Sequence, residues 1–419
     1  MTEAKPMLSV DQALDFLLDA ASQISGTETL PTLDANGRVL AAAQNSQLDV
    51  PPVDNTSMDG YAVRAADCAS GNAVLRVTQR IPAGHVGQPL EAGCAARIFT
   101  GAMIPQGADA VVMQEMCVAA KSTGKEGEQD VVIVNHTPVS GEWIRRAGED
   151  IKAGSTILAA GQRLRAQELG LAASVGLADL PVVRKLRVAV FFTGDELAMP
   201  GEALKEGAIY NSNKFTLRGL LENLGCDITD FGIVPDTLAA TRETLRRAAT
   251  DHDLIITSGG VSVGEEDHIK PALEAEGRVN MWQIAVKPGK PLAFGEVNRA
   301  EQSNSSTAFF LGLPGNPVSS FVTFVLFVRP FILRLQGVAD VLPKSFAMRA
   351  DFEQAKADRR NEFLRARIND KGGLDLFPNQ SSGVLTSTVW GDGLIDNPVG
   401  NKIMQDDIVR FIPFNELMH

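Results

Sequence analysis

Residues 185–197 read KLRVAVFFTGDEL, and this stretch decides the fold. Val188 to Phe192 form an unbroken apolar run that ends at Gly194. A strand loses its polar alternation in this way when both faces of its sheet are covered. The pattern then changes period. In NSNKFTLRGLLENLG (211–225), Leu217, Leu220, Leu221 and Leu224 share one helical face, with Asn213 near the start and Gly225 past the end. CDITDFGIV (226–234) reads as a strand, TLAATRETLRRAATD (237–251) as a helix and HDLIITSGG (252–260) as another strand. PALEAEG (271–277) predicts a short helix with Pro271 at its first position. Strands alternating with helices imply a parallel sheet with right-handed crossovers.

Outward from this unit the texture differs on both sides. Residues 8–25 predict a helix, with Ser9 as its cap and Leu14, Leu17, Leu18 and Ala21 on one face. VPPVDN (50–55) is a proline-marked connection, and short β-type runs follow it to about residue 144. KSTGKEGEQD (121–130) reads as a hairpin tip, and RAQELGLAASVG (165–176) as a helix ended by Gly176. After about residue 338 short strands return, with turns at DKGG, GDG and NPVG. The chain thus divides at 1–50, 51–144, 145–183, 184–337 and 338–419, an α/β multidomain protein flanked by β-rich modules.

Bulk properties bound the function. At 419 residues the chain exceeds a single core. A formal net charge of −12 argues against sequence-independent nucleic-acid binding, which needs a basic footprint. Four cysteines without C-x-x-C spacing fit a reducing cytoplasm, and the start has no signal-like apolar core. The greasiest stretch, FVTFVLFVRPFIL (321–333), is interrupted by Arg329 and Pro330 and falls short of the roughly 20 apolar residues of a membrane span. A buried helix is expected there.

Open parallel sheets bind ligands at the carboxyl ends of their strands. TGDEL supplies Asp195 and Glu196 there; VPDT supplies Asp236; SGGVSVGEED (258–267) supplies Ser258, Gly259, Gly260 and Asp267. LPGNPVSS places Asn316 and Pro317 at a helix entrance, and KPGKP carries Lys287 and Lys290. Asp236 alone reads equally well as a helix cap. Together, the cluster points to a ligand. Two like charges about 4 Å apart cost roughly 4 kcal/mol at an effective dielectric of 20, so converging carboxylates call for a cation. Mg2+ shared with phosphate oxygens is the common solution, while glycine turns and lysines serve an anion.

Several motifs follow one another as they do in the MoeA family of molybdopterin molybdenumtransferases. They are VDNTSMDGYAV (53–63), RIFTGAMIPQGADAVVMQE (97–115), RRAGEDI (145–151), FFTGDEL, IYNSN, TSGGVSVGEEDH, VKPGKP, GLPGNPVSSFV and NQSSGVLTS (379–387). The resemblance covers nearly the whole chain, and it extends to the gephyrin E domain. It implies an elongated N-terminal segment, an inserted β-rich domain, a three-layer, MogA-like α/β domain with a parallel-rich sheet and a C-terminal β-barrel-like domain. It also implies a homodimer whose active sites lie between subunits. The implied reaction inserts molybdate into adenylylated molybdopterin with Mg2+ and releases AMP. Carried over by position, Glu196, Asp236 and Asp267 resemble the acidic set around phosphates and metal. Lys287, Lys290, Ser319, Arg360 and Ser381 resemble the oxyanion side. Asp59 and Thr100 resemble contributions from the partner's inserted domain, and Asp150 resembles a further active-site acid. A molybdopterin adenylyltransferase of the MogA type and a non-enzymatic scaffold of the gephyrin type are the rival readings. Transient contact with a MogA-type adenylyltransferase or with molybdoenzyme-maturation proteins fits the same resemblance.

Overall fold

The computed structural model describes residues 7–124, 127–261, 268–299 and 307–418. The first helix spans Val10–Ala20. Ser9 Oγ accepts from the Gln12 N–H at 3.1 Å while the Gln12 side chain accepts from the Ser9 N–H at 3.0 Å, a reciprocal cap. Its buried face, Ala13 and Leu17, joins the largest apolar core.

Strand Thr27–Pro31 pairs antiparallel with Asp179–Val183, so the segment returning after the inserted module closes on the segment that left it. Between them, six strands from Gly60–Val63 to Gly127–Val134 make a mixed sheet with an apolar cluster on each face. Cys117–Gly124 and Gly127–Val134 form the expected hairpin.

In the central domain we label β1 Arg187–Thr193, α1 Ser212–Asn223, β2 Asp227–Val234, α2 Leu238–Asp251, β3 Leu254–Ser258, α3 Ile269–Glu276, β4 Gly277–Gln283, β5 Pro291–Asn298, β6 Thr307–Leu313 and α4 Pro317–Leu335. The sheet order is β2-β1-β3-β6-β5-β4. β2, β1, β3 and β6 are parallel; β5 and β4 are antiparallel additions. The sheet is parallel-rich, as expected, with an antiparallel edge. Among the described residues no helix separates β4, β5 and β6, and short antiparallel connections need no crossover. Helix α3 begins at Ile269, two residues before Pro271, which sits within the first turn where its missing N–H has no intrahelical partner to lose.

Arg329 and Pro330 do not end α4. Residues Phe324–Val328 adopt π-helical geometry ahead of them, and the chain continues helical to Leu335. The wider turn absorbs the carbonyl that a proline ring leaves crowded and unbonded. By length and apolarity α4 could cross a membrane, but nearly all of it is buried within the protein core.

The C-terminal domain is built on Phe346–Arg349, Asn361–Ile368, Gly393–Asn397 and Ile408–Pro413. Its sheet takes in a strand from the central domain: Val286–Lys287, between β4 and β5, pairs parallel with Asn361–Ile368 and sets Lys287 opposite Glu362. This shared sheet fixes which C-terminal residues reach the central domain's edge.

Candidate functional site

A cleft of about 580 Å³ opens at the carboxyl ends of the parallel strands. Thr193 ends β1 and Gly194 and Glu196 follow it, Asp236 follows β2, Gly259 to Val261 follow β3, and Pro314 to Asn316 follow β6. Lys287 to Pro291 close a second side, Ser319 rises from the first turn of α4, and Arg360, Gln380, Ser381 and Ser382 come from the C-terminal domain.

The floor is glycine for a geometric reason. Gly259 has φ +100, and a Cβ there would stand 2.6 Å from the Thr193 carbonyl oxygen. Gly289 has φ +113, and its Cβ would meet Thr323 Oγ1 at 2.4 Å. Both turns need a residue without a side chain.

On the acidic side, Asp236 does not cap α2. Thr237 does: its hydroxyl accepts from the Ala240 N–H at 3.3 Å. Asp236 and the exposed Glu196 are left with no ion pair among the described residues, and the buried hydroxyl of Thr193 has no hydrogen-bond partner there. Asp267 lies outside the described residues. The donor set offers hard oxygens and no cysteine or histidine, and no group of three or more potential ligands gathers among the described residues. Two carboxylates with room for phosphate oxygens and water suit Mg2+, which rarely uses an all-protein cage.

The cationic side is more crowded than the sequence suggests. Lys287 Nζ lies 2.9 Å from Glu362 and 3.1 Å from Asp358. Burial pulls the pKa of this ammonium down, but the two carboxylates outweigh that and hold it above its ordinary value. Arg360 makes a forked pair with the same Asp358, at 3.0 and 3.1 Å. That pairing, against partial burial and with help from Lys287, holds the Asp358 carboxyl well below the carboxylate range. Glu362 is 1% exposed and also accepts from Asn397 at 3.2 Å. Lys287 and Arg360 are thus matched by two acids that the sequence reading missed. Lys290, exposed and without an ion pair among the described residues, is the unmatched lysine of the cleft.

Ser258 does not line the cleft. Its buried hydroxyl donates to the Pro314 carbonyl at 3.0 Å and accepts from Asn213 at 2.8 Å, tying the end of β3 to the entrance of α4. Asp59 and Thr100 meet each other elsewhere: the Thr100 N–H and hydroxyl both donate to one Asp59 oxygen, at 2.8 and 2.7 Å, which lowers the Asp59 pKa. Neither lines the cleft of its own chain, nor does the exposed Asp150, whose N–H donates to the Val50 carbonyl. Gln380 and Ser382 were also missed, though both flank Ser381 in the quoted NQSSG motif.

Family models match in chain order: MoeA N-terminal region (domain I and II) over residues 8–176, "Probable molybdopterin binding domain" over 189–334 and MoeA C-terminal region (domain IV) over 347–414. A molybdopterin molybdenumtransferase of Haemophilus influenzae is 39% identical across 98% of this chain and 100% of its own. One from Nostoc is 36% identical across 97% and 94%. The crystal structure of a molybdopterin biosynthesis MoeA protein of Pyrococcus horikoshii superposes with a TM-score of 0.80 at 28% identity, covering 97% of this chain and 100% of that one.

Proposed function

This chain belongs to the molybdopterin molybdenumtransferase (MoeA) family, transferases of molybdenum cofactor biosynthesis, and from that premise we propose that its cleft binds adenylylated molybdopterin and molybdate and releases AMP with Mg2+. One observation carries the reading. Carboxylates and a lysine without ion-pair partners among the described residues face a single cleft across a glycine floor, so a cation and an anion are both accommodated.

Glu196 and Asp236 would hold Mg2+, together with Asp267; bound there, the ion supplies charge neutralisation at the pyrophosphate. The protein's own residues do the rest by positioning and by neutralising charge. The Gly259–Gly260 turn lets backbone come close to phosphate oxygens without a side chain intervening. Lys290 places an ammonium at the anion's end of the cleft, and Ser319, Ser381 and Arg360 add donors to a tetrahedral oxyanion there. Lys287 keeps the C-terminal wall against the central domain through Glu362 and Asp358. No protein nucleophile enters this scheme.

The inserted domain's Asp59–Thr100 pair would complete the site from the partner subunit of a homodimer. AMP release from adenylylated molybdopterin, assayed with molybdate and Mg2+, tests the scheme. Wild-type protein should depend on both additions. Asp59→Ala mixed with Asp236→Ala should recover about a quarter of wild-type activity, because half of the mixed dimers are heterodimers with one intact site each. Independence from molybdate, or net adenylylation of molybdopterin from ATP, would overturn the reading.

A further inference from the structure

Asp59, Thr100 and Gln114 stand just past the ends of three neighbouring strands of the inserted sheet, Gly60–Val63, Cys94–Ile98 and Ala110–Met113. The first strand runs antiparallel to the other two, so the three ends meet at one edge, with Gly60 opposite Ile98 on one side and Met113 on the other. The approach is close: a Cβ on Gly60 would stand 1.9 Å from the Val112 carbonyl oxygen.

One guanidinium ties this edge together. Arg97 Nη1 donates to the Gly60 carbonyl at 2.7 Å and to the Ile98 carbonyl at 3.2 Å, while Nη2 donates to Gln114 Oε1 at 2.5 Å. The Gln114 N–H in turn donates to the Asp59 carbonyl at 3.0 Å. Phe99, the residue before Thr100, has the guanidiniums of Arg97 and Arg80 each 4.5 Å from its ring centroid. The chain on both sides of the Asp59–Thr100 contact is thus held by the same side chain.

Arg97 does not take the Asp59 carboxylate itself. A guanidinium beside a carboxylate commonly grips it as a fork. Here its donors go to carbonyl and amide oxygens, and it makes no ion pair among the described residues. The Thr100 N–H and hydroxyl occupy one Asp59 oxygen, and the other has no partner among the described residues. The Thr100 contacts hold the Asp59 pKa below its ordinary value and the nearby Arg97 charge adds to that, so the carboxylate is ionised at neutral pH with one oxygen available.

We propose that Arg97 is a positioning residue for the reaction: it fixes the Asp59–Thr100 pair, with one Asp59 oxygen free, for its approach to the cleft of the partner subunit. The inference rests on the reading that this pair completes that cleft.

The test is AMP release from adenylylated molybdopterin with molybdate and Mg2+, using the full-length chain and mixed variants. Arg97→Met should slow the maximal rate roughly tenfold to a hundredfold, the cost of a misplaced contact, and leave half-saturating molybdate within about twofold of wild type. Arg97→Lys keeps the cation and loses the fork, so its rate should fall between the two. Mixing separates positioning from general damage. Arg97→Met with Asp236→Ala should recover about a quarter of wild-type activity, because half of the mixed dimers are heterodimers with one site built from an intact cleft and an intact inserted domain. Arg97→Met with Asp59→Ala should recover nothing beyond the two variants alone, because every inserted domain is then defective.

If Asp59→Ala and Asp236→Ala fail to complement each other, the reading of a site shared between subunits falls and takes the inference with it. If they complement, the inference alone is overturned by any of three results: a wild-type rate in Arg97→Met, its failure to complement Asp236→Ala, or its complementation of Asp59→Ala. Should Arg97→Met fail to fold, Arg97→Lys decides: a slowed rate with the same mixing pattern supports the assignment, and a wild-type rate removes it.

Discussion

The two ends of the central sheet use charge in opposite ways. At the amino ends of the strands, Arg184, Arg187 and Arg299 gather around Asp253. Burial pushes that carboxyl's pKa up, but the Arg184 fork and the Arg187 N–H at 3.0 Å outweigh it and leave it lowered. At the carboxyl ends, Glu196, Asp236 and Lys290 share a cleft and make no ion pairs among the described residues. Charges satisfied inside the fold hold the structure together. Charges left unsatisfied around a cavity destabilise it slightly and persist where a ligand completes them. The sheet is the same; among the described residues its charges are paired at one end and left unpaired around the cleft at the other.

Four substitutions break or sharpen that contrast. Asp253→Ala removes the buried acid that Arg184, Arg187 and Arg299 share, and loss of one partner of such a pair costs up to about 3–5 kcal/mol, read as a lowered thermal midpoint. The half-saturating molybdate of the surviving folded protein should not move, and a selective loss of molybdate affinity would dissolve the distinction between the two ends. Asp236→Asn should do the reverse: AMP release slows about 100-fold while the thermal midpoint holds or rises. A collapse in stability would show that Asp236 is structural after all.

Asp358 falls between the two classes, since it binds cleft residues yet is matched within the fold. Its folded pKa lies below the ordinary 3.8, so its contribution is present above about pH 4 and is lost as pH falls through the folded value. Asp358→Asn should therefore lower stability by about 1.5 kcal/mol at pH 7, and the gap from wild type should close in acid below the unfolded pKa. A gap that widens in acid would reverse the assigned sign. The smallest effect belongs to Thr237→Ala. Losing this cap should cost about 1 kcal/mol and leave AMP release largely unchanged, separating the capping residue from the neighbouring acid.

Much of this was legible in the chain itself. The apolar run at Val188–Phe192 announced a doubly covered strand, and the leucines at 217, 220, 221 and 224 announced the helix packed on it. Glycine pairs and carboxylates just past apolar strands marked the edge that carries the cleft, because parallel topology sends every such strand end to the same side. Other features gave no local signal. Pro330 reads as a helix break, yet a π-helical turn carries α4 through it. Asp236 and Thr237 are adjacent candidates for one cap, and only the hydrogen bond chooses between them. Ser258 shares a motif with two cleft glycines, but its side chain points into the fold.

The sequence by itself determined the order of the elements, the alternation that places loops on one edge and the types of charge found there. Those properties follow from periodicity and chain direction, which are local. Tertiary structure alone decided which charges are matched. The two-residue strand Val286–Lys287 joins a sheet some seventy residues further along the chain, and that register puts Lys287 on Glu362 and brings Arg360 and Ser381 to the cleft. Strand pairing across such a distance depends on packing and register between domains, which no nearby residue encodes.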